Sequence, residues 1–123
     1  MMARNISFAL TTPQFLDGSK DVTRRMGWRN LKAADVLCAV EKGMGLKPGE
    51  KIKRLGMIRV VSVRREPLTA ITQADVVREG FPNMTPAWFI EFFCAGHKGC
   101  TPESEVTQIE FEHISTDTPT EGE

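Results

Sequence analysis

Fourteen consecutive residues, Ile52-Lys-Arg-Leu-Gly-Met-Ile-Arg-Val-Val-Ser-Val-Arg-Arg65, constrain the fold most. Their β-branched side chains alternate with basic ones, the pattern of a pleated, half-buried strand. Gly56 marks a bend, so the stretch reads as one long strand or as two. With a side-chain period of two, Ile58, Val60 and Ser62 share one face, and Arg59, Val61 and Val63 the other.

The flanking sequence supplies the partners. Asn5 to Leu10 and Val36 to Val40 read as strands, the second as a buried one. Val106 to Ile114 alternates strongly: Val106, Gln108, Glu110 and Glu112 face one side, Ile109 and Phe111 the other. Thr12-Pro13 starts a short helix with Thr12 as cap, and Gly18 ends it with a positive φ. Asp21 to Met26 then reads as a strand. Thr72-Gln-Ala-Asp75 resembles a capping box with Asp in place of Glu, opening a helix that runs to Glu79. Thr85-Pro86 opens another, whose aromatic residues are expected to pack on the sheet. Glu41 to Glu50, with three glycines and a proline, is a loop or wide hairpin. The order β-α-β-β-β-α-α-β predicts a mixed α+β domain, a small β-barrel flanked by short helices, over residues 5–114. Residues 115–123 are expected to be a frayed, disordered tail.

A chain of 123 residues suits one domain. No apolar run is long enough to span a bilayer, no secretory leader is visible, and three cysteines do not make a disulfide framework. A cytoplasmic protein is expected, monomeric and away from membranes. The net charge is zero but unevenly spread. Residues 1–65 hold 14 Lys and Arg against 5 Asp and Glu; residues 66–123 hold 2 against 11. Either a basic face meets nucleic acid, or the two halves neutralise each other across the fold.

The function is expected in Gly18-Ser-Lys20-Asp-Val-Thr23-Arg24-Arg25, which delivers cationic and hydroxyl groups at a hinge before a strand. Thr23 and Arg25 share a strand face, but positions 20 and 23 point to opposite ones. Lys20 and Thr23 therefore converge only if Lys20 lies in the turn after Gly18, or if a bulge intervenes. Trp28 either stacks on a base or packs on the core. Arg54, Arg59, Arg64 and Arg65 either contact phosphates or form a solvated face. Cys94-Ala-Gly-His97-Lys-Gly-Cys100 has spacing that a metal would accept, with Cys38 or His113 as a distant fourth ligand. A helix exit with an incidental His and two thiols is the default, so no metal and no cofactor is expected.

With these residues in place, the chain resembles the ASCH domain of the PUA-like superfamily, whose motif is G-x-K-x-x-E-x-R after a short first helix. Gly18, Lys20 and Arg25 match it, and Thr23 stands where many members have Glu. The resulting G-x-K-x-x-T-x-R is similar to small bacterial ASCH enzymes that remove the acetyl group from N4-acetylcytidine. Those carry a late helical Glu where Glu79 falls. The Glu-Gly-Phe at Glu79 and the closing Ile-Glu-Phe strand also look like short phage and prophage ASCH proteins. The resemblance implies a barrel pocket for a nucleobase, a nucleoside or RNA. It implies that Lys20 acts on Thr23, that Thr23 attacks the amide carbonyl, and that Glu79 handles protons at the leaving nitrogen. Gly18, Arg24, Arg25 and Trp28 are expected to bind substrate. A non-catalytic RNA-binding module of the same fold is the alternative, and a ribonuclease a third, although no His-His or Lys-His pair points to it. The chemistry requires a neutral Lys20, hence a site that disfavours its ammonium through burial or a neighbouring Arg24 or Arg25.

Overall fold

A computed structural model of the chain describes residues 4–41, 48–49 and 51–114. Five strands form one curled sheet, a half-barrel. In chain order they are β1 (Arg4–Ser7), β2 (Val22–Arg25), β3 (Val36–Val40), β4 (Arg54–Pro67) and β5 (Glu105–Ile114). Helix α1 (Thr12–Asp17) joins β1 to β2, while α2 (Gln73–Arg78) and α3 (Pro86–Ala95) lie between β4 and β5. The spatial order is β1-β3-β4-β5-β2, with β1 parallel to β3 and the other pairs antiparallel. The element order follows the sequence pattern, with a 3-10 turn over Leu68–Ala70 added.

The long basic stretch is one strand, not two, and it pairs with β3 and β5. Its facing differs from simple alternation after Val60. Val60 lies opposite Phe111 and Ser62 opposite Glu110, so Val61 is an extra, bulged residue. The phase flips there. Val63 returns to the core side, and Ser62 Oγ donates to Glu110 outside.

Strand β1 is shorter than expected. After Phe8 N–H bonds Val40 O, the chain reverses and Thr11 N–H bonds back to Phe8 O. Helix α1 begins at Thr12 rather than after it. Thr12 does not cap it; its hydroxyl donates to Phe8 O at 2.8 Å. The capping box at Thr72 and Asp75 forms in full, and Thr85 caps α3 by accepting from Trp88 N–H.

Two cores lie on opposite faces of β5. Ile109 and Phe111 face the cluster of Ile6, Phe8, Phe15, Leu37, Ile58 and Val60. Val106 faces Leu68, Ile71, Val76, Phe89 and Phe93, which attach α2 and α3 to the sheet as expected for an aromatic helix. Fully burying one such side chain is worth roughly 1.5–3 kcal/mol. The loop over 41–50 lies largely outside the described residues, and the tail over 115–123 lies wholly outside them.

Charge pairing across the chain is extensive. Arg59 meets Glu112, Arg64 meets Glu66, and Arg65 meets Glu105, at 2.8, 2.8 and 2.6 Å. Three arginines of the cationic first half are thus paired at β4 with carboxylates of the acidic second half. Among the described residues, no helix is long and apolar enough to cross a membrane.

Candidate functional site

The site begins with how α1 ends. Phe15 anchors the helix by stacking on Phe8, ring centroids 4.7 Å apart. Gly18 takes φ +83°, a left-handed conformation that glycine adopts without steric cost, and its N–H bonds Phe15 O. Lys20 N–H then bonds Gln14 O, and Asp21 N–H bonds Arg78 O. The turn is thereby stitched to the end of α2. Arg78 strengthens the seam through Asp21 at 3.0 Å and Glu110 at 2.8 Å.

Gly80 lets α1 approach this closely. A Cβ on Gly80 would lie 2.7 Å from Gln14 Cγ and 2.8 Å from Gln14 Cβ, at a φ of +101°. Gly80→Ala is therefore expected to destabilise the fold by about 1–3 kcal/mol, read as a lower urea midpoint with an unchanged slope. A neutral substitution would show that α1 does not press on this turn.

That packing sets Lys20 against Glu79, the residue ending α2. Lys20 Nζ lies 2.7 Å from Glu79 Oε1 and also donates to Glu79 O at 3.0 Å; both side chains are buried. A carboxylate at a helix C-terminus opposes the helix dipole, so this glutamate is not placed there for the helix's benefit. Its other oxygen, Oε2, accepts from Arg24 Nη1 at 3.1 Å. Arg24 Nη2 in turn meets Glu66 at 2.9 Å and Asp75 at 3.0 Å. Arg24 ties β2 to β4 and α2, with its Nε left buried and unpartnered. Burial alone would raise Asp75, but hydrogen bonds from Thr72 and the charge of Arg24 hold it below its ordinary value.

Burial also pushes the Lys20 ammonium below the ordinary lysine value. Glu79 opposes the shift, while Arg25 and Arg24 add to it. An ammonium has three N–H donors, and Glu79 takes two. Lys20 lies before β2, so the alternation of the strand does not separate it from Thr23.

On β2, Thr23 and Arg25 share a face as the period requires, and Arg25 Nε donates to Thr23 Oγ1 at 3.0 Å. Arg25 Nη2 reaches Ser7 O at 2.6 Å. Since β1 and β2 are the two edges of the sheet, Arg25 bridges the open side of the half-barrel. No carboxylate lies within 4.0 Å of its guanidinium among the described residues. Burial pulls it down to about 10, against the pull of Glu79, so it stays charged at neutral pH.

Lys20, Thr23, Arg24, Arg25 and Glu79 all line one cavity of about 270 Å³. Much of the remaining wall is aromatic, with Phe8, Phe81, Phe89, Phe92, Phe93 and His97, and the β1–α1 turn also contributes Thr11. This size lies just below the usual range of ligand pockets, roughly 300–1,000 Å³, and leaves room for one planar ring. The sequence pattern missed this wall. The helical spacing of Phe89 and Phe93 signals burial, not what they enclose.

Gly18 and Trp28 are placed elsewhere. Gly18 shapes the turn without bordering the cavity. Trp28 packs against the first core, with the Arg4 guanidinium 3.8 Å above its ring. Cys94 Sγ and Cys100 Sγ lie 3.3 Å apart as free thiols, and His97 Nδ1 faces Phe93 O. Burial and the neighbouring Cys100 push the Cys94 thiol up to about 11. Among the described residues, no three His, Cys, Asp or Glu side chains are grouped to hold a metal ion.

No family model and no curated protein matches the sequence. Solved structures do match its shape. An ASCH domain from Lactobacillus crispatus superposes with a TM-score of 0.65 at 14% identity, over 89% of this chain and 78% of that one. The fold is that of an ASCH domain. Protein EF3133 from Enterococcus faecalis, of family DUF984, superposes with a TM-score of 0.65 at 15% identity, over 100% of this chain and 87% of that one. A tyrosine-to-phenylalanine variant of an ASCH protein from Zymomonas mobilis gives 0.53 at 11% identity, over 94% and 75%. At these identities the likeness concerns the fold.

Proposed function

We propose that this ASCH-fold chain is a cytoplasmic amidohydrolase acting on an N4-acylated cytidine or a closely related modified pyrimidine nucleoside. One observation carries the proposal: Lys20 and Thr23 of one short motif and Glu79, 59 residues from Lys20, border a single small cavity rich in aromatic rings. In the proposed reaction, neutral Lys20 takes the proton of Thr23, and Oγ1 attacks the amide carbonyl. Arg25 already donates to Oγ1. It therefore stabilises the developing alkoxide and, with Lys20, the tetrahedral oxyanion. The 2.7 Å contact from Lys20 to Glu79 supplies a route for the proton to the leaving N4. Water then releases the acyl group from Thr23.

The alternative, a module holding RNA without chemistry, draws less support. The basic residues Arg59, Arg64 and Arg65 of β4 are already engaged by carboxylates. The deciding experiment is a panel of N4-acetylcytidine, cytidine and short RNAs, followed by chromatography and by binding at several salt concentrations. Deacetylation is expected, its rate rising with pH because the free base of Lys20 is required. The midpoint should fall below the ordinary lysine value, as burial dictates. Salt-sensitive RNA binding with no turnover would replace the enzyme by the module.

A further inference from the structure

Two hydroxyls that line the cavity are unused by the proposed chemistry, but Ser7 Oγ is already committed, donating to Glu41 O and accepting from Ala9 N–H. Thr11 is only 7% exposed and borders the cavity beside Phe8. A threonine just before a helix ordinarily accepts a hydrogen bond from the first turn, worth about tenfold in helix stability. Thr11 makes no such bond; its backbone, at φ −134° and ψ 28°, is not in the usual capping conformation. Its Oγ1 has no hydrogen-bond partner among the described residues. The neighbouring Thr12 hydroxyl, by contrast, is satisfied by Phe8 O. The hydroxyl is not sealed off, unlike Arg24 Nε; on a residue that lines the cavity, it is left free to bond whatever the cavity holds.

We infer that Thr11 is a ligand-reading residue, whose hydroxyl hydrogen-bonds the polar edge of a planar heteroaromatic ring seated against the Phe89 and Phe93 side of the cavity. The contact belongs to the side chain alone, because Thr11 N–H is already committed to Phe8 O. A hydroxyl both donates and accepts, so it meets a ring carbonyl or a ring amine equally well. It selects for the presence of a hydrogen-bonding edge rather than for one base. The contact does not change as bonds break at the amide, so it holds substrate and transition state alike. The choice of nucleosides as probes rests on the function proposed above.

The test is binding of cytidine and N4-acetylcytidine, followed by NMR chemical-shift titration, to wild type, Thr11→Val, Thr11→Ala and Thr11→Ser. A 2,4-difluorotoluene ribonucleoside, which keeps the ring shape but lacks the polar edge, serves as the control ligand. Val and Ala are expected to weaken both nucleosides about tenfold or more, Ser to restore them, and the control ligand to be indifferent. Where turnover is measurable, the same variants should raise KM and leave kcat near the wild-type value. Equal affinity of wild type and both Thr11 variants for the nucleosides overturns the inference, as does a control ligand weakened to the same degree. So does a wild type that binds neither nucleoside. Binding without turnover removes the hydrolase proposal and leaves the role of Thr11 decided by the variants. Because the hydroxyl caps nothing, at least one variant is expected to fold, which an unchanged melting temperature checks.

Discussion

Replacing Glu79 with alanine is expected to cost about 3–5 kcal/mol of folding stability, the usual loss when one partner of a buried ion pair is removed. For a domain of this size the melting temperature falls by on the order of 15 °C. The reason is local. Lys20 Nζ would keep only the backbone carbonyl of residue 79, inside a site that is 3% exposed at Lys20. Arg24 would retain Glu66 and Asp75, so the stranded charge is the lysine. Glu79 is also the group that holds the Lys20 proton against burial. Without it the folded-state value drops further while the unfolded value does not. The unfolded chain then binds the extra proton, so the variant gains stability as pH rises toward the ordinary lysine value. Adding Lys20→Met keeps much of the stem's volume and removes the ammonium, and is expected to recover most of the loss. Urea unfolding at pH 7 and 9.5 measures both effects. A cost under about 1 kcal/mol, typical of exposed pairs, would mean that water reaches the Lys20–Glu79 contact.

Thr23→Val should lower deacetylation of N4-acetylcytidine by about 10,000-fold or more, the scale seen when a nucleophile is removed. Valine keeps the branched shape of the side chain but strands Arg25 Nε, which donates to Thr23 Oγ1 at 3.0 Å. That orphaned donor costs about 1–3 kcal/mol, so loss of activity must be read on folded protein. Thr23→Ser separates the two effects. It retains an oxygen for both Arg25 and the carbonyl, and is expected to keep measurable turnover and nearly full stability. Single-turnover assays on all three proteins, with melting curves beside them, are sufficient. Activity of Thr23→Val within tenfold of wild type would remove Thr23 as the attacking group.

Much of the architecture is written in local pattern. The alternation of Val106 to Ile114, the apolar run at Val36 to Val40, and the caps at Thr72 and Thr85 each depend on neighbours a few residues away. They emerge in the structure as read. The bulge at Val61 depends instead on how β4 must curl against β5, a tertiary demand that no period reveals. The site divides in the same way. Lys20, Thr23 and Arg25 sit in one short motif, whereas the Lys20–Glu79 contact spans 59 residues of sequence. Arg24 was expected to meet a ligand, and it borders the cavity, yet its guanidinium is shared among three carboxylates from distant segments. Thr11 belongs to no motif, and only the enclosing rings give its hydroxyl a context.

The placement of opposite charges in the two halves of the chain bears on how the protein is made. Translation delivers residues 1–65, with their surplus of Lys and Arg, before most of the acidic residues that neutralise them. Strands β2 and β4 both wait for β5, the last strand, before they gain a shared neighbour. Lys20 and Arg24 cannot be shielded from water until α2 has been synthesised and docked. A ribosome-bound nascent chain therefore exposes residues 1–65 as a net cationic segment before residues 66–123 emerge. Closure of the cavity around Lys20 and Glu79 is then among the last events of folding rather than a nucleus for it.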